Sequence, residues 1–121
     1  MQDFKKLLVW RKAHELAVQI YRSTTSFPRS EMFGLTAQLR RAAVSVSANI
    51  AEGCGRGGRR ELSRFLRVSA GSASELESHL LIAKDLAFLA AHDHQALNAL
   101  TEEVKRMLSG LLAKTAPKTD N

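Results

Sequence analysis

Apolar residues recur along this chain at spacings of three and four, and strand-like alternation is absent. The spacing predicts a first helix from about Leu8 to Ser26. Val9, Ala13, Leu16, Ile20 and Phe27 form its inner stripe, which Trp10, Ala17 and Tyr21 widen. Phe27 precedes Pro28, and a residue before proline is pushed out of helical geometry, so the helix is expected to stop there. Ser30 is placed to cap a second helix, with Glu31 in the first turn favoured by the macrodipole. Leu35, Leu39, Ala42, Val46 and Ile50 make its inner face. The run Gly53-Cys54-Gly55-Arg56-Gly57-Gly58 has little helical preference and is expected to end it.

The third helix is expected from Arg59 to about Leu89. Leu62, Phe65, Ser69, Ala73, Leu76, Leu80, Ala83 and Ala87 keep a three-four alternation along it, the pattern of a packed seam. At about 1.5 Å per residue it would be the longest element, about 45 Å. A second row, Leu66, Leu81, Phe88 and Leu89, makes its C-terminal half apolar over more than one face, a surplus that another chain is expected to cover. Asp93 is placed to cap a fourth helix carrying Leu97, Leu100, Val104, Met107 and Leu111. Short connections between such helices predict an all-α, up-down-up-down antiparallel four-helix bundle, one domain over residues 1–116 with a flexible tail at 117–121. Two stretches of small residues, Ala42–Ala48 and Ser69–Ser74, overlap in height when the second and third helices fold back, which predicts close backbone approach there. Gly71 is expected to serve that approach or a slight bend.

Composition narrows the class. With 121 residues, 45% apolar and 25% charged, the chain suits one folded domain. Area scaling buries roughly two-thirds of such a chain's surface without staples. No apolar run approaches the roughly 18 residues of a membrane span. Leu7–Trp10 is too short for a signal-peptide core, so a cytoplasmic protein is expected. The single cysteine, Cys54, excludes an intrachain disulfide framework and a multi-cysteine zinc site.

Charge points toward a partner. The net charge is +6, and most of the cations are arginine, whose fork matches phosphate oxygens better than lysine does. Residues 40–67 hold seven arginines (Arg40, Arg41, Arg56, Arg59, Arg60, Arg64 and Arg67) against two acids, Glu52 and Glu61. A local excess of this kind is what an anion-binding surface requires, although a solvated basic face fits it equally. The glycine run lacks the strand before it that a dinucleotide fingerprint needs, and Gly58-Arg59-Arg60 replaces the Gly-Lys-Ser/Thr of a P-loop. Free N–H groups at the start of the third helix, flanked by Arg56, Arg59 and Arg60, still suit a backbone phosphate. Arg60, Arg64 and Arg67 continue up one face.

Catalytic chemistry finds little support. No Glu-x-x-His pair is present, Glu75 and His79 supply only two ligands, and His92-Asp93-His94 reads as a polar turn, so neither metal nor cofactor is expected. Cys54 has cationic neighbours able to lower its pKa but no sequence-local base. Ser45 and Ser47 are expected to bond back to helix carbonyls, and Glu75 to pair with Arg40 or Arg41. Asn49 and Glu52 are expected to bond backbone groups around the glycine turn. Arg41, Ser45, Asn49, Glu52 and Glu75 are therefore structural polar residues in this reading.

Several motifs occur in order: Val9-Trp10 with Ala13; Phe27-Pro28 with Glu31; Gly34-Leu35 with Gln38; Arg40-Arg41-Ala42 with Ser45; Asn49-Ile50-Ala51-Glu52-Gly53; then Phe65-Leu66, Ala70-Gly71-Ser72 and Glu75. From Phe4 to about Leu89 the chain resembles the four-helix bundle proteins encoded in intervening sequences of bacterial 23S ribosomal RNA genes. It departs from their pattern at Cys54, where an aromatic residue is common, which removes any stacking contact there. The resemblance implies a ring-like homopentamer. It also implies kinship with the accessory protein of diversity-generating retroelements, a basic pentamer that binds nucleic acid and a reverse transcriptase.

The combined expectation is a non-enzymatic, oligomeric protein that contacts RNA or DNA backbone through Arg56, Arg59, Arg60, Arg64 and Arg67, with Lys5 and Lys6 as lesser contributors. The alternative is an interaction scaffold whose basic face meets an acidic partner protein.

Overall fold

The computed structural model describes residues 3–115. Four helices account for most of them: α1 Leu8–Thr24, α2 Leu35–Arg56, α3 Arg59–Asp85 and α4 Ala91–Thr115. Single 3-10 turns at Phe4–Lys6 and Arg29–Glu31 precede α1 and α2. Polar links between neighbours fix the topology. Arg41 of α2 binds Glu75 of α3, and Ser45 meets Ser72 at 2.7 Å, so α2 and α3 run antiparallel. Glu77 accepts from Lys105 at 2.9 Å across α3 and α4, Lys12 meets Glu103 at 3.4 Å across α1 and α4, and Arg40 donates to Thr24 at 2.9 Å across α1 and α2. Each helix backbone lies close to two neighbours and not to its diagonal, the plan of an up-down-up-down antiparallel bundle.

The core follows the inward stripes. Leu16, Ile20, Leu39, Val46, Ile50, Leu66, Leu76, Leu80, Val104 and Leu108 are fully buried. The most extensive contact joins α2 to α3, where the small residues Ala42, Ala43, Ser69 and Ala73 are also fully buried. Ser69 Oγ donates to the Val46 carbonyl at 2.7 Å, a link that only a short side chain on a close neighbour can make. Gly71 takes no part in this approach: it is exposed, and a Cβ there would touch nothing.

The element boundaries depart from expectation in four places, each for a local reason. Ser30 lies in the 3-10 turn and does not cap α2. Glu31 does so instead, its Oε1 accepting the Leu35 N–H at 3.2 Å. Helix α2 continues through Gly53 and Gly55, because packing outweighs their weak propensity, and the chain breaks at Gly57 (φ 74°) and Gly58 (φ 89°). Helix α3 stops at Asp85 rather than Leu89. The Phe88 N–H turns back to the Ala83 carbonyl and the Ala87 N–H to that of Lys84, both at 2.9 Å, with Ala87 left-handed at φ 62°. This turn lays Phe88 against Phe27, ring centroids 5.6 Å apart, and leaves Ala87 exposed outside the seam. Asp93 is the third residue of α4, not its cap, and faces His92 at 3.1 Å. The expected tail after Pro117 lies outside the described residues.

Candidate nucleic-acid interface

The antiparallel plan gathers the start of α1, the end of α2, the start of α3 and the end of α4 at one pole of the bundle. Taken as residues 3–15, 52–67 and 107–115, this pole holds ten Lys or Arg against four Asp or Glu. The rest of the described chain, 16–51 and 68–106, holds seven of each. The positive excess of the described residues therefore sits entirely at the glycine-turn pole. Two helix N-termini and two C-termini meet there, so their dipoles largely offset one another and side chains set the field.

The five arginines occupy different local settings. Arg56 donates to Glu52 Oε2 at 2.8 Å, and Arg64 donates to both Glu61 oxygens at 2.8 and 3.1 Å. Both guanidinium groups also lie over the Phe65 ring, at 4.3 Å for Arg64 and 5.3 Å for Arg56. Arg67 donates to the Ser63 hydroxyl at 3.1 Å, and Arg59 to the Lys114 carbonyl. Among the described residues Arg60 has neither a hydrogen-bond nor an ion-pair partner. All five are exposed, as are Lys5 and Lys6 on the turn before α1. The arginine pair at Glu52 and Glu61 is thus partly neutralised, which the one-face row Arg60-Arg64-Arg67 did not foresee. Exposed ion pairs of this kind are worth about 0–1 kcal/mol, so a phosphate can displace the carboxylates at small cost. The Arg64 hydrogen bond holds the Glu61 carboxyl below its ordinary range and lifts the Arg64 guanidinium above its own.

Sequence reasoning missed three contributors. The spacing of Phe65 suits the core seam, yet it is half-buried and forms the platform under two guanidinium groups. Ser63 is fully buried and positions Arg67. Lys114 joins the pole because α4 ends there, a placement implied by the antiparallel plan itself.

The structural polar residues lie along the α2–α3 seam. Glu75 binds Arg41, not Arg40, and also meets His79 at 3.1 Å. The Arg41 hydrogen bond, and then that of His79, lowers the Glu75 pKa. Arg40 instead turns to α1. Ser47 bonds back to the Val44 carbonyl at 3.2 Å, whereas Ser45 pairs with Ser72. Asn49 does not reach the glycine turn: its amide donates to the Ser45 carbonyl at 2.8 Å and hydroxyl at 3.0 Å. Glu52 likewise binds the Arg56 side chain rather than backbone, since α2 continues past it as helix. Cys54 is buried, and desolvation, followed by the charge of Asp3, raises its pKa, opposite to the lowering its cationic sequence neighbours suggested.

Apolar surface remains uncovered. Of the row expected to need another chain, Leu66 and Leu89 are buried and Phe88 packs on Phe27, whereas Leu81 is exposed, as are Val68 and Ile82 on α3, Leu86 just past its end, and Phe33 before α2 at 92%. A groove of about 450 Å³ between α1 and α2 is lined by Ala17, Val18, Tyr21 and Val44, and another of about 360 Å³ between α1 and α4 by Leu7, Leu8, Met107 and Leu111. Among the described residues no group of three or more His, Cys, Asp or Glu is placed to hold a metal. No described helix is long and apolar enough to cross a membrane.

Fold and surface together define a class: an antiparallel four-helix bundle with one strongly cationic pole. Residues 5–110 match the model of the 23S rRNA-intervening sequence protein family, and the chain belongs to that family. It is similar to a crystal structure described as a protein with unknown function from the S23 ribosomal protein family of Bacteroides thetaiotaomicron VPI-5482. The TM-score is 0.78 at 22% identity, over 87% of this chain and 98% of that one, which shows a shared fold. No curated protein matches the chain. Neither the family's name nor the solved relative's names a catalytic activity.

Proposed function

We propose that this chain is a non-enzymatic, oligomeric nucleic-acid-binding protein of the cytoplasm, holding RNA or DNA backbone at the glycine-turn pole. The carrying observation is the division of charge among the described residues: ten cations against four carboxylates at that pole, and seven against seven elsewhere. Arg60 is the freest contact, and Arg59 and Arg67 have no carboxylate partner among the described residues. Arg56 and Arg64 exchange their carboxylates for phosphate while Phe65 supports them from below. Lys5 and Lys6 extend the field. Binding through such contacts is largely blind to sequence, because phosphate contacts position without specifying.

Oligomerisation rests on the apolar residues left in water on α3 and in the two grooves, surface that a second copy would cover. A ring of five, as the family resemblance implies, would multiply the charge of each chain and strengthen weak contacts by multivalency. A non-enzymatic role is supported by the engagement of the reactive groups: Cys54 is buried with a raised pKa, and Glu75 is held by Arg41 and His79.

The test is electrophoretic retardation of RNA and of DNA by nuclease-treated protein. Arg60→Glu with Arg67→Glu is expected to abolish retardation while the particle mass stays that of the wild type. Retardation that survives this double reversal, or is absent in low salt, overturns the reading. Loss of an acidic protein partner with nucleic-acid binding intact would favour the scaffold instead.

A further inference from the structure

A second basic feature lies at the opposite pole, where the charge as a whole is balanced. The end of α1, the Phe27-Pro28 turn and the start of α2 enclose a recess of about 170 Å³. Its polar lining is Thr24, Thr25, Arg29, Thr36 and Arg40. Among the described residues no carboxylate lines it. Glu31, the nearest acid in sequence, is committed to the Leu35 N–H and lies outside the lining.

Arg40 is half-buried and held rigidly. Its Nε donates to Thr24 Oγ1 at 2.9 Å, its Nη2 to the Tyr21 carbonyl at 3.4 Å, and its guanidinium lies over the Tyr21 ring at 4.7 Å. These partners orient the fork without neutralising it. A guanidinium drawn partly out of water with no carboxylate beside it is unfavourable until an anion meets it. The second observation is Thr36. It is 6% exposed and lines the recess, and its buried Oγ1 has no hydrogen-bond partner among the described residues. Buried hydroxyls are seldom left so. Thr24 and Thr25 spend their protons on the Ile20 and Arg22 carbonyls, both at 2.8 Å, so the groups that remain to bind are Arg29, Arg40 and Thr36.

We propose that this recess binds a single phosphate group, with Arg40 and Arg29 forked onto its oxygens and the Thr36 hydroxyl donating to a third. Two guanidinium groups and a hydroxyl supply the charge-assisted donors that a tetrahedral oxyanion needs. The volume sets the ligand's size: it is below the roughly 300 Å³ at which pockets for drug-sized molecules begin, so the phosphate enters alone, as a free ion or as the exposed end of a larger molecule. The site shares no residue with the glycine-turn pole, so it stands or falls separately from the proposed function.

The experiment is calorimetric titration of the full chain with inorganic phosphate, with chloride at equal ionic strength as control. Saturable binding of one phosphate per chain is expected. Arg29→Gln, at an exposed position with no hydrogen bond to lose among the described residues, should weaken it about tenfold, and Thr36→Val by several-fold. Arg106→Gln, at an exposed position on α4 outside the recess lining, should leave it unchanged. Phosphate heats no larger than those of chloride, or wild-type affinity in both Arg29→Gln and Thr36→Val, overturn the proposal. A 5′-phosphorylated oligonucleotide compared with its 5′-hydroxyl counterpart identifies the source. A preference lost in Arg29→Gln assigns the site to a nucleic-acid end, and equal binding of the two alongside intact phosphate binding assigns it to a small phosphate.

Discussion

Gly53 at the end of α2 lies so close to Phe65 at the start of α3 that a Cβ on the glycine would come within 3.0 Å of the Phe65 Cβ. It would also stand 3.3 Å from Leu62 Cδ1. This contact sets the depth at which α3 enters the bundle and keeps the Phe65 ring at the surface, where Arg56 and Arg64 lie over it. Alanine normally gains about 1 kcal/mol over glycine inside a helix. At Gly53 the first turn of α3 has to move, because the opposing atom is tied to the backbone. Gly53→Ala is therefore expected to destabilise by about 1–2 kcal/mol. Gly71→Ala meets nothing within 4 Å and should stabilise by about 0.5–1 kcal/mol. Urea denaturation of the two variants checks both signs.

The contrast between these glycines shows where the sequence was legible. Helical periodicity places Leu16, Leu39, Leu76 and Val104 in the core because burial of one stripe is what each helix needs, and the bundle follows from those stripes. The pairing of Glu75 with an arginine one turn away on α2 was also readable, because antiparallel folding about the glycine turn fixes relative height. Which glycine makes the close approach was not, since that depends on the rotation of α2 about its axis. Phe65 carried the same ambiguity: its spacing suits the seam, but it enters where the bundle ends and neighbours thin out. The five site arginines could be placed at one pole from connectivity, whereas their choice between carboxylate, carbonyl and solvent is a matter of side-chain geometry that spacing does not encode.

Ala87 closes α3 in a left-handed conformation at φ 62°, which costs a residue with a Cβ about 1 kcal/mol or more relative to glycine. Its side chain is exposed and contributes no packing. Ala87→Gly is expected to raise stability by about 0.5–1 kcal/mol, the gain reduced by the greater freedom of glycine in the unfolded chain. Thermal unfolding measures it.

Glu75 has its folded pKa lowered, first by the hydrogen bond from Arg41 and then by His79. A lowered carboxyl contributes stability in full above its unfolded pKa and loses it as pH falls through the folded one. The pair is partly exposed, so its worth at neutral pH is about 0.5–1 kcal/mol. Glu75→Gln should lose that amount at pH 7, and the gap from wild type should close as the solution is acidified below the ordinary carboxylate range near pH 4. Denaturation midpoints across a pH series report the convergence.

Burial raises the Cys54 pKa, so little thiolate is present at pH 8 and the sulfur is screened from reagents. Labelling by a thiol-specific disulfide reagent should be slow in the native protein and rapid in denaturant. Fast native labelling would show that the end of α2 opens readily around Gly53.

The salt dependence of nucleic-acid affinity tests the central claim most directly. If the glycine-turn pole binds backbone phosphates, log affinity should fall linearly with log salt concentration, and each lost phosphate contact should reduce the slope by about 0.7–0.9. Arg60→Gln combined with Arg67→Gln is predicted to lower the slope by about 1.4 on single-stranded RNA. A wild-type slope near zero, or an identical slope in the double variant, would contradict the assignment of this pole to nucleic acid.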